Sequence, residues 1–206
     1  MQTVAAAVVK HQELTDLSFS GILLDTLGET TLQVLGACSR LQALKLNFRA
    51  STVAIEDEDI GRLLACFVHL EALALDISDG NSSPSLTMRS LLYALKHCPS
   101  LHKLTLVVDA TLAKLPTINP PLHQMPLTLD VSDTYRRISL IDSVNEVAAF
   151  ISGLTDHSIH ILVPSTPLNR ETGAPDRPEK HQLWVEVGDL APWFQKMRKS
   201  ATNLRS

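Results

Sequence analysis

Residues 98–106 read Cys-Pro-Ser-Leu-His-Lys-Leu-Thr-Leu, a phrase that recurs along the chain as a cysteine followed by Leu-x-x-Leu-x-Leu. Earlier copies begin at Cys38 and Cys66, and the copy at Cys66 has one extra residue before its first leucine. The second leucine of the phrase recurs at intervals of 29 and 31 residues. Such a period indicates stacked repeats, each of which is one supersecondary unit.

Each repeat predicts a helix followed by a strand. In the third unit, Met88, Leu91 and Leu95 recur at helical spacing. Leu104 and Leu106 then flank a polar residue, as in a half-buried strand. Weaker strand phrases occupy residues 14–19, 127–131 and 159–163. We therefore predict an α/β fold, a leucine-rich-repeat solenoid of about six parallel strands with helices on the outer face.

The array is expected to be irregular, because the asparagine that ends the strand phrase of a standard repeat is missing. Arg49, Ser78 and Asp109 stand at that position instead. Without the asparagine ladder, we expect less uniform curvature and longer loops.

Three segments are predicted: a repeat array over 1–163, a flexible loop over 164–180, and a capping helix with its tail over 181–206. Aromatic residues of the last segment either cap the open end of the array or anchor a partner. These residues are Trp184, Trp193 and Phe194. Pro192 is expected to kink this helix or to begin a second one.

The three cysteines cannot all pair within one chain. Because all three open the same repeat phrase, we expect them to form one column of buried, free thiols. Free thiols favour a reducing compartment, and we predict the cytoplasm, with the nucleus as the alternative.

The composition argues against several partners. The net charge of −4 is unlike that of a dedicated nucleic-acid binder, which carries a basic stripe. No run of 18 apolar residues is present, so we expect no membrane-spanning helix. A protein partner is therefore the expected ligand.

No catalytic residue, cofactor or metal ligand is predicted. Asp130 and Asp133 resemble the aspartate pair of a phosphatase loop, but their spacing is three residues instead of two, and a similar phrase precedes Asp79. His157 and His160, three apart on a strand, should face opposite sides and so not share a metal. His97 and Cys98 would point about 100° apart on a helix, which disfavours a reactive pair.

Strand alternation places a mixed row of side chains on the face away from the core leucines. We predict that this concave face binds a protein, through residues listed here as candidates: Lys45, Asn47, Ala74, Asp76 and Thr105.

Several segments, taken in order, carry a family resemblance. They are 92–106, Val108-Asp-Ala110, the proline-rich loop, 129–133, 147–154 and the helix with Trp184, Val187, Leu190, Pro192 and Phe194. From about residue 30 onward, the chain resembles the repeat region of large fungal F-box proteins of the basidiomycete type.

The resemblance implies substrate recognition for a cullin–RING ubiquitin ligase. An F-box, which docks the ligase adaptor, normally precedes such repeats, and we expect none in the residues before Leu14. Adaptor docking by this sequence is therefore not expected. Two alternatives stay open: a truncated F-box protein without independent activity, and a small hydrolase on an unrecognised α/β fold.

Overall fold

The computed structural model describes residues 13–23, 35–50, 55–78, 86–111, 123–131, 140–141, 143–163 and 178–203. Within these residues the chain forms eight strands and four helices. The strands are β1 (Asp16–Leu23), β2 (Ala43–Ala50), β3 (Ala72–Ser78), β4 (Lys103–Leu106), β5 (Asp109–Ala110), β6 (Leu127–Asp130), β7 (Leu140–Ile141) and β8 (Ile159–Leu162). The helices are α1 (Asp57–Leu64), α2 (Met88–His97), α3 (Val144–Ser152) and α4 (Pro178–Asn203).

Six of the strands form one parallel sheet in the order β1-β2-β3-β4-β6-β8, and the described strands do not close it into a barrel. β5 and β7 form a separate parallel pair. The α/β class and the six parallel strands are therefore confirmed. Because the spatial order follows the chain order, each unit adds its strand beside the preceding one.

The register places equivalent apolar residues in a single row across the sheet. The members of this row are Leu17, Leu44, Leu73, Leu104, Leu129 and Ile161. They pack in one core with apolar residues of α1, α2 and α3, such as Ile60, Leu91 and Ile151. The helices therefore cover one face of the sheet, and burial of these leucines is the main contribution to its stability.

The backbone repeats the same hydrogen bonds where successive strands begin. The carbonyl of Thr15 accepts from the N–H groups of Gln42 and Ala43, at 2.7 and 2.9 Å. The Gln42 carbonyl likewise accepts from Glu71 and Ala72, at 2.8 and 2.9 Å. The Glu71 carbonyl then accepts from the N–H groups of His102 and Lys103, at 2.9 and 3.2 Å. This regularity fixes the register of β1 to β4.

The predicted column of three buried thiols is wrong at one position. Cys38 and Cys98 are fully buried, whereas Cys66 is exposed and Phe67 lies in the core instead. In all three repeats the N–H of the first leucine of the phrase donates to the carbonyl of the residue three positions earlier. The position of the leucine, and not that of the cysteine, therefore determines which residue occupies the buried slot. The extra residue in the second copy moves the cysteine one position out of the slot.

Successive helices are joined by a buried carboxylate. Asp57 of α1 accepts from the Thr87 N–H at 2.8 Å, from the Thr87 hydroxyl at 2.5 Å and from the Ser90 hydroxyl at 2.6 Å. Thr87 is also the N-cap of α2, where its hydroxyl accepts from the Arg89 N–H. One side chain of α1 therefore positions the start of α2.

The C-terminal helix α4 is continuous through Pro192 and begins at Pro178, inside the segment predicted as a loop. Residues 164–177 of that predicted loop lie outside the described residues. Gln195 donates to the carbonyls of Thr155 and His157, at 2.7 and 2.5 Å, and so fastens α4 to the turn before β8. Among the described helices, none has the length and hydropathy needed to span a membrane.

Candidate functional site

The sheet has one face that the described helices leave uncovered, which we call the open face. It consists of the alternate strand positions whose side chains point away from the leucine rows. In β2 the pattern is clear, because Lys45 is exposed between Leu44 and Leu46, which are 1% and 0% exposed. Ala74 and Thr105 are half-buried. In register, Ala74 lies beside Lys45, and Thr105 lies beside Ala74. The open face is thus the accessible surface of the predicted binding row.

A depression of about 370 Å³ lies on the open face across β1 to β4. Its lining residues on this face are Asp16, Ser18, Ala43, Lys45, Ala72, Ala74, Lys103 and Thr105. Ala43 and Ala72 are neighbours in register, and Ala74 follows two positions along β3. Three short side chains therefore adjoin one another where longer ones surround them, which gives the depression its floor.

Two lysines border this alanine floor. Lys103 pairs in register with Ala72, and Lys45 pairs with Ala74, so the two ammonium groups lie diagonally across the floor. Neither lysine has a carboxylate within ion-pair distance in the described part of the chain. The described Arg40, Arg62 and Arg89, in contrast, each pair with a carboxylate. Within the described residues, the two lysines of the depression therefore make no ion pair.

Among the residues that line the depression, the carboxylate is that of Asp16; Asp76 and Asp130 lie farther along the same face. Asp16 of β1 pairs in register with Ala43 and is exposed. Its carboxylate accepts from the neighbouring Thr15 hydroxyl at 2.9 Å. The depression is consequently polarised, with a carboxylate at the β1 end and a lysine at the β4 end.

Two of the five predicted contact residues are less accessible than the others. Asn47 and Asp76 are neighbours in register on the open face, but they are only 6% and 8% exposed. The accessible part of the predicted row is therefore Lys45, Ala74 and Thr105. A partner that contacts Asn47 or Asp76 would have to displace their surroundings.

The structure separates the three candidate aromatic residues. Trp184 is fully buried, Phe194 is half-buried against the core, and Trp193 is 53% exposed. The rings of Trp193 and Phe194 meet edge to face, with centroids 5.2 Å apart. Trp184 and Phe194 therefore lie on the side of α4 that packs against the core. Of the three aromatic residues, only Trp193 is available to a partner in this arrangement.

The structure describes only some of the residues considered for catalysis. Asp130 is half-buried on the open face, while Asp79 and Asp133 lie outside the described residues. Burial raises the pKa of the Cys98 thiol to about 12, the opposite of what a reactive thiolate requires. Its Sγ donates to the Leu64 carbonyl at 3.8 Å. In the described part of the chain, no group of three or more His, Cys, Asp or Glu is arranged to hold a metal ion.

Sequence reasoning missed several buried polar residues, among them His123. It is 1% exposed, and its Nε2 donates to the Leu101 carbonyl at 2.5 Å. Its Nδ1 has no hydrogen-bond partner within the described residues. Burial lowers the pKa of His123, although the carbonyl of Leu101 acts in the opposite direction. A single histidine beside a proline-rich loop has no periodic signal that would have identified it.

No protein-family model matches the chain, and no curated protein matches its sequence. The geometry of the open face and the repeat phrase are therefore the indications of function.

Proposed function

We propose that this chain is a non-catalytic protein-binding module whose open face contacts its partner. The observation that carries the proposal is the contrast between the two faces of one sheet. One face is sealed by helices over leucine rows, whereas the other carries a depression with two lysines that make no ion pair within the described residues. An accessible, polar, parallel sheet of stacked units is the kind of surface that repeat proteins use for binding.

We further propose that the array is an irregular leucine-rich-repeat solenoid like that of basidiomycete F-box proteins. Support comes from the strand order, which follows the chain, and from the leucine row, which recurs every 27 to 31 residues from Leu17 to Leu104. On this proposal the open face selects substrates for a cullin–RING ubiquitin ligase. The exposed Cys66 thiol is compatible with the reducing cytoplasm, or alternatively the nucleus.

The test substitutes a residue in the floor of the depression. Ala74→Trp should fill it, and the matched control Ala149→Trp adds the same bulk at an exposed position of α3. Affinity capture from cell extract, with quantitative mass spectrometry, should show proteins that wild type and Ala149→Trp retain and Ala74→Trp loses. Circular dichroism and melting curves check that both variants are folded. Identical captured sets for all three proteins would contradict binding at the open face.

A further inference from the structure

We propose that the depression selects an extended partner segment in which an apolar residue lies next to an aspartate or glutamate. This inference rests on the proposed function, since it names the chemistry of the partner that the open face binds. Two properties of the depression support it: the floor is apolar, and the two lysines make no ion pair within the described residues.

The floor fits an apolar side chain. Ala43, Ala72 and Ala74 expose methyl groups and no hydrogen-bonding side-chain atoms, and strands of a sheet are ~4.8 Å apart. The aliphatic stems of Lys45 and Lys103 form part of the wall, as long lysine side chains do when their charge stays in water. An apolar side chain seated there would remove both surfaces from solvent, which favours binding.

The rim fits a carboxylate. Lys45 and Lys103 lie on opposite sides of the floor, and each is free of ion pairs within the described residues. A carboxylate next to the seated apolar residue would be within reach of a lysine on either side. Because part of the surrounding water is excluded by the segment itself, the attraction is stronger than between two fully exposed charges.

Asp16 sets the direction of the charge preference. It borders the same depression and opposes a partner carboxylate at the β1 end. We therefore expect the acidic residue of the partner to lie towards Lys103 and away from Asp16. Removal of this carboxylate should strengthen binding, because like charges across an interface disfavour it.

The first experiment uses a random peptide display library, selected on the full chain. Wild type should enrich peptides with Asp or Glu beside Leu, Ile, Val or Met. The double variant Lys45→Glu/Lys103→Glu should instead enrich Lys or Arg at the charged position. The matched control Lys96→Glu/Lys199→Glu has the same change in net charge at exposed sites of α2 and α4, and should select the wild-type peptides.

The second experiment measures affinities of the most enriched synthetic peptide by fluorescence anisotropy. Charge reversal at Lys45 and Lys103 should weaken binding by about tenfold to a hundredfold, while the Lys96 and Lys199 control changes it less than about twofold. Asp16→Asn should tighten binding by about twofold to fivefold. Added salt should weaken the wild-type complex.

The outcomes separate this inference from the proposed function. Peptides that depend on Ala74, as judged by loss with Ala74→Trp, but that show no acidic preference would overturn the inference and keep the open face as the binding surface. Peptides that bind Ala74→Trp as well as wild type, or no enrichment at all, would overturn both. Acidic peptides lost on Ala74→Trp and reversed by the charge swap would support both.

Discussion

The two ends of the array are built by different means. From β1 to β4, neighbouring units are joined by repeated backbone hydrogen bonds and by leucines of one row. From β6 to α4 the strand pairing continues, but single side chains add further links: His123 bonds to the Leu101 carbonyl, and Gln195 bonds to the carbonyls of Thr155 and His157. A repeat can extend itself with a periodic sequence, whereas the last layer needs particular residues to end the stack.

The largest expected effect is a break in the leucine row of the first region. Leu104→Ala should lower the free energy of unfolding by about 2–5 kcal/mol, because Leu104 is fully buried between its neighbours on β3 and β6. Urea unfolding followed by circular dichroism measures this loss. Leu162→Ala, at a position 48% exposed on β8, is the control and should cost far less. Equal effects of the two substitutions would contradict the proposed core.

The link between α1 and α2 should be the next most sensitive. Asp57→Ala leaves the Thr87 amide and the Ser90 hydroxyl without their acceptor, and should cost about 1–3 kcal/mol. Glu58→Ala is the control, since Glu58 is exposed and makes only a surface ion pair with Arg89, worth about 0–1 kcal/mol. If urea midpoints fall equally for both, the buried carboxylate does not join the helices.

In the C-terminal region we expect a substitution to lower the free energy of unfolding by a similar amount, with its effect confined to the neighbouring elements. Gln195→Ala removes two hydrogen bonds to carbonyls and should cost about 1–3 kcal/mol. Hydrogen exchange should then increase in α4 and β8 more than in β2 and β3, because the repeated backbone ladder does not depend on Gln195. Uniform loss of protection across the sheet would show that the two regions are not separable in this way.

Acid should weaken the C-terminal region through His123. Its pKa is lowered in the folded state by burial, so below the ordinary value near 6.5 the unfolded chain binds the additional proton more readily. The contribution of His123 is therefore constant above that pH and becomes destabilising as the pH falls towards the lowered folded-state pKa. Unfolding free energies from pH 8 to pH 5 should decline less steeply for His123→Gln than for wild type.

A matched control addresses the other histidines. His69→Gln, at an exposed position after α1, should keep the wild-type slope between pH 8 and pH 5. If His123→Gln and His69→Gln have the same slope as wild type, then burial of His123 does not govern the acid response.

The sequence predicted the strands of both regions, including those at 127–131 and 159–163, but not the side-chain links of the second. Leucines at period two mark strands directly, so β2, β3 and β4 could be located from their alternation alone. Residue identity misled at Cys66, because the turn is set by distance from the following leucine and an inserted residue shifts the cysteine outward. Matching the phrase backwards from Leu70 would have assigned Phe67, instead of Cys66, to the slot of the other two cysteines.

The candidate site depends on neighbours that no single strand reveals. Ala72 and Ala43 form a floor only because the register sets them side by side. Likewise, the burial of Asn47 and Asp76 does not follow from alternation, which assigns them to the same face as Lys45. The links made by His123 and Gln195 occur once each and so produce no period in the sequence.

The most direct test of the stacked register is the reactivity of the three thiols. In the folded protein, a thiol reagent with mass spectrometry should modify Cys66 rapidly, and Cys38 and Cys98 only after unfolding, because the latter two are buried and burial raises the pKa of both. One fast and two protected thiols would agree with the register in which Phe67 takes the place of the second cysteine. Rapid native modification of Cys98, or protection of Cys66, would contradict it.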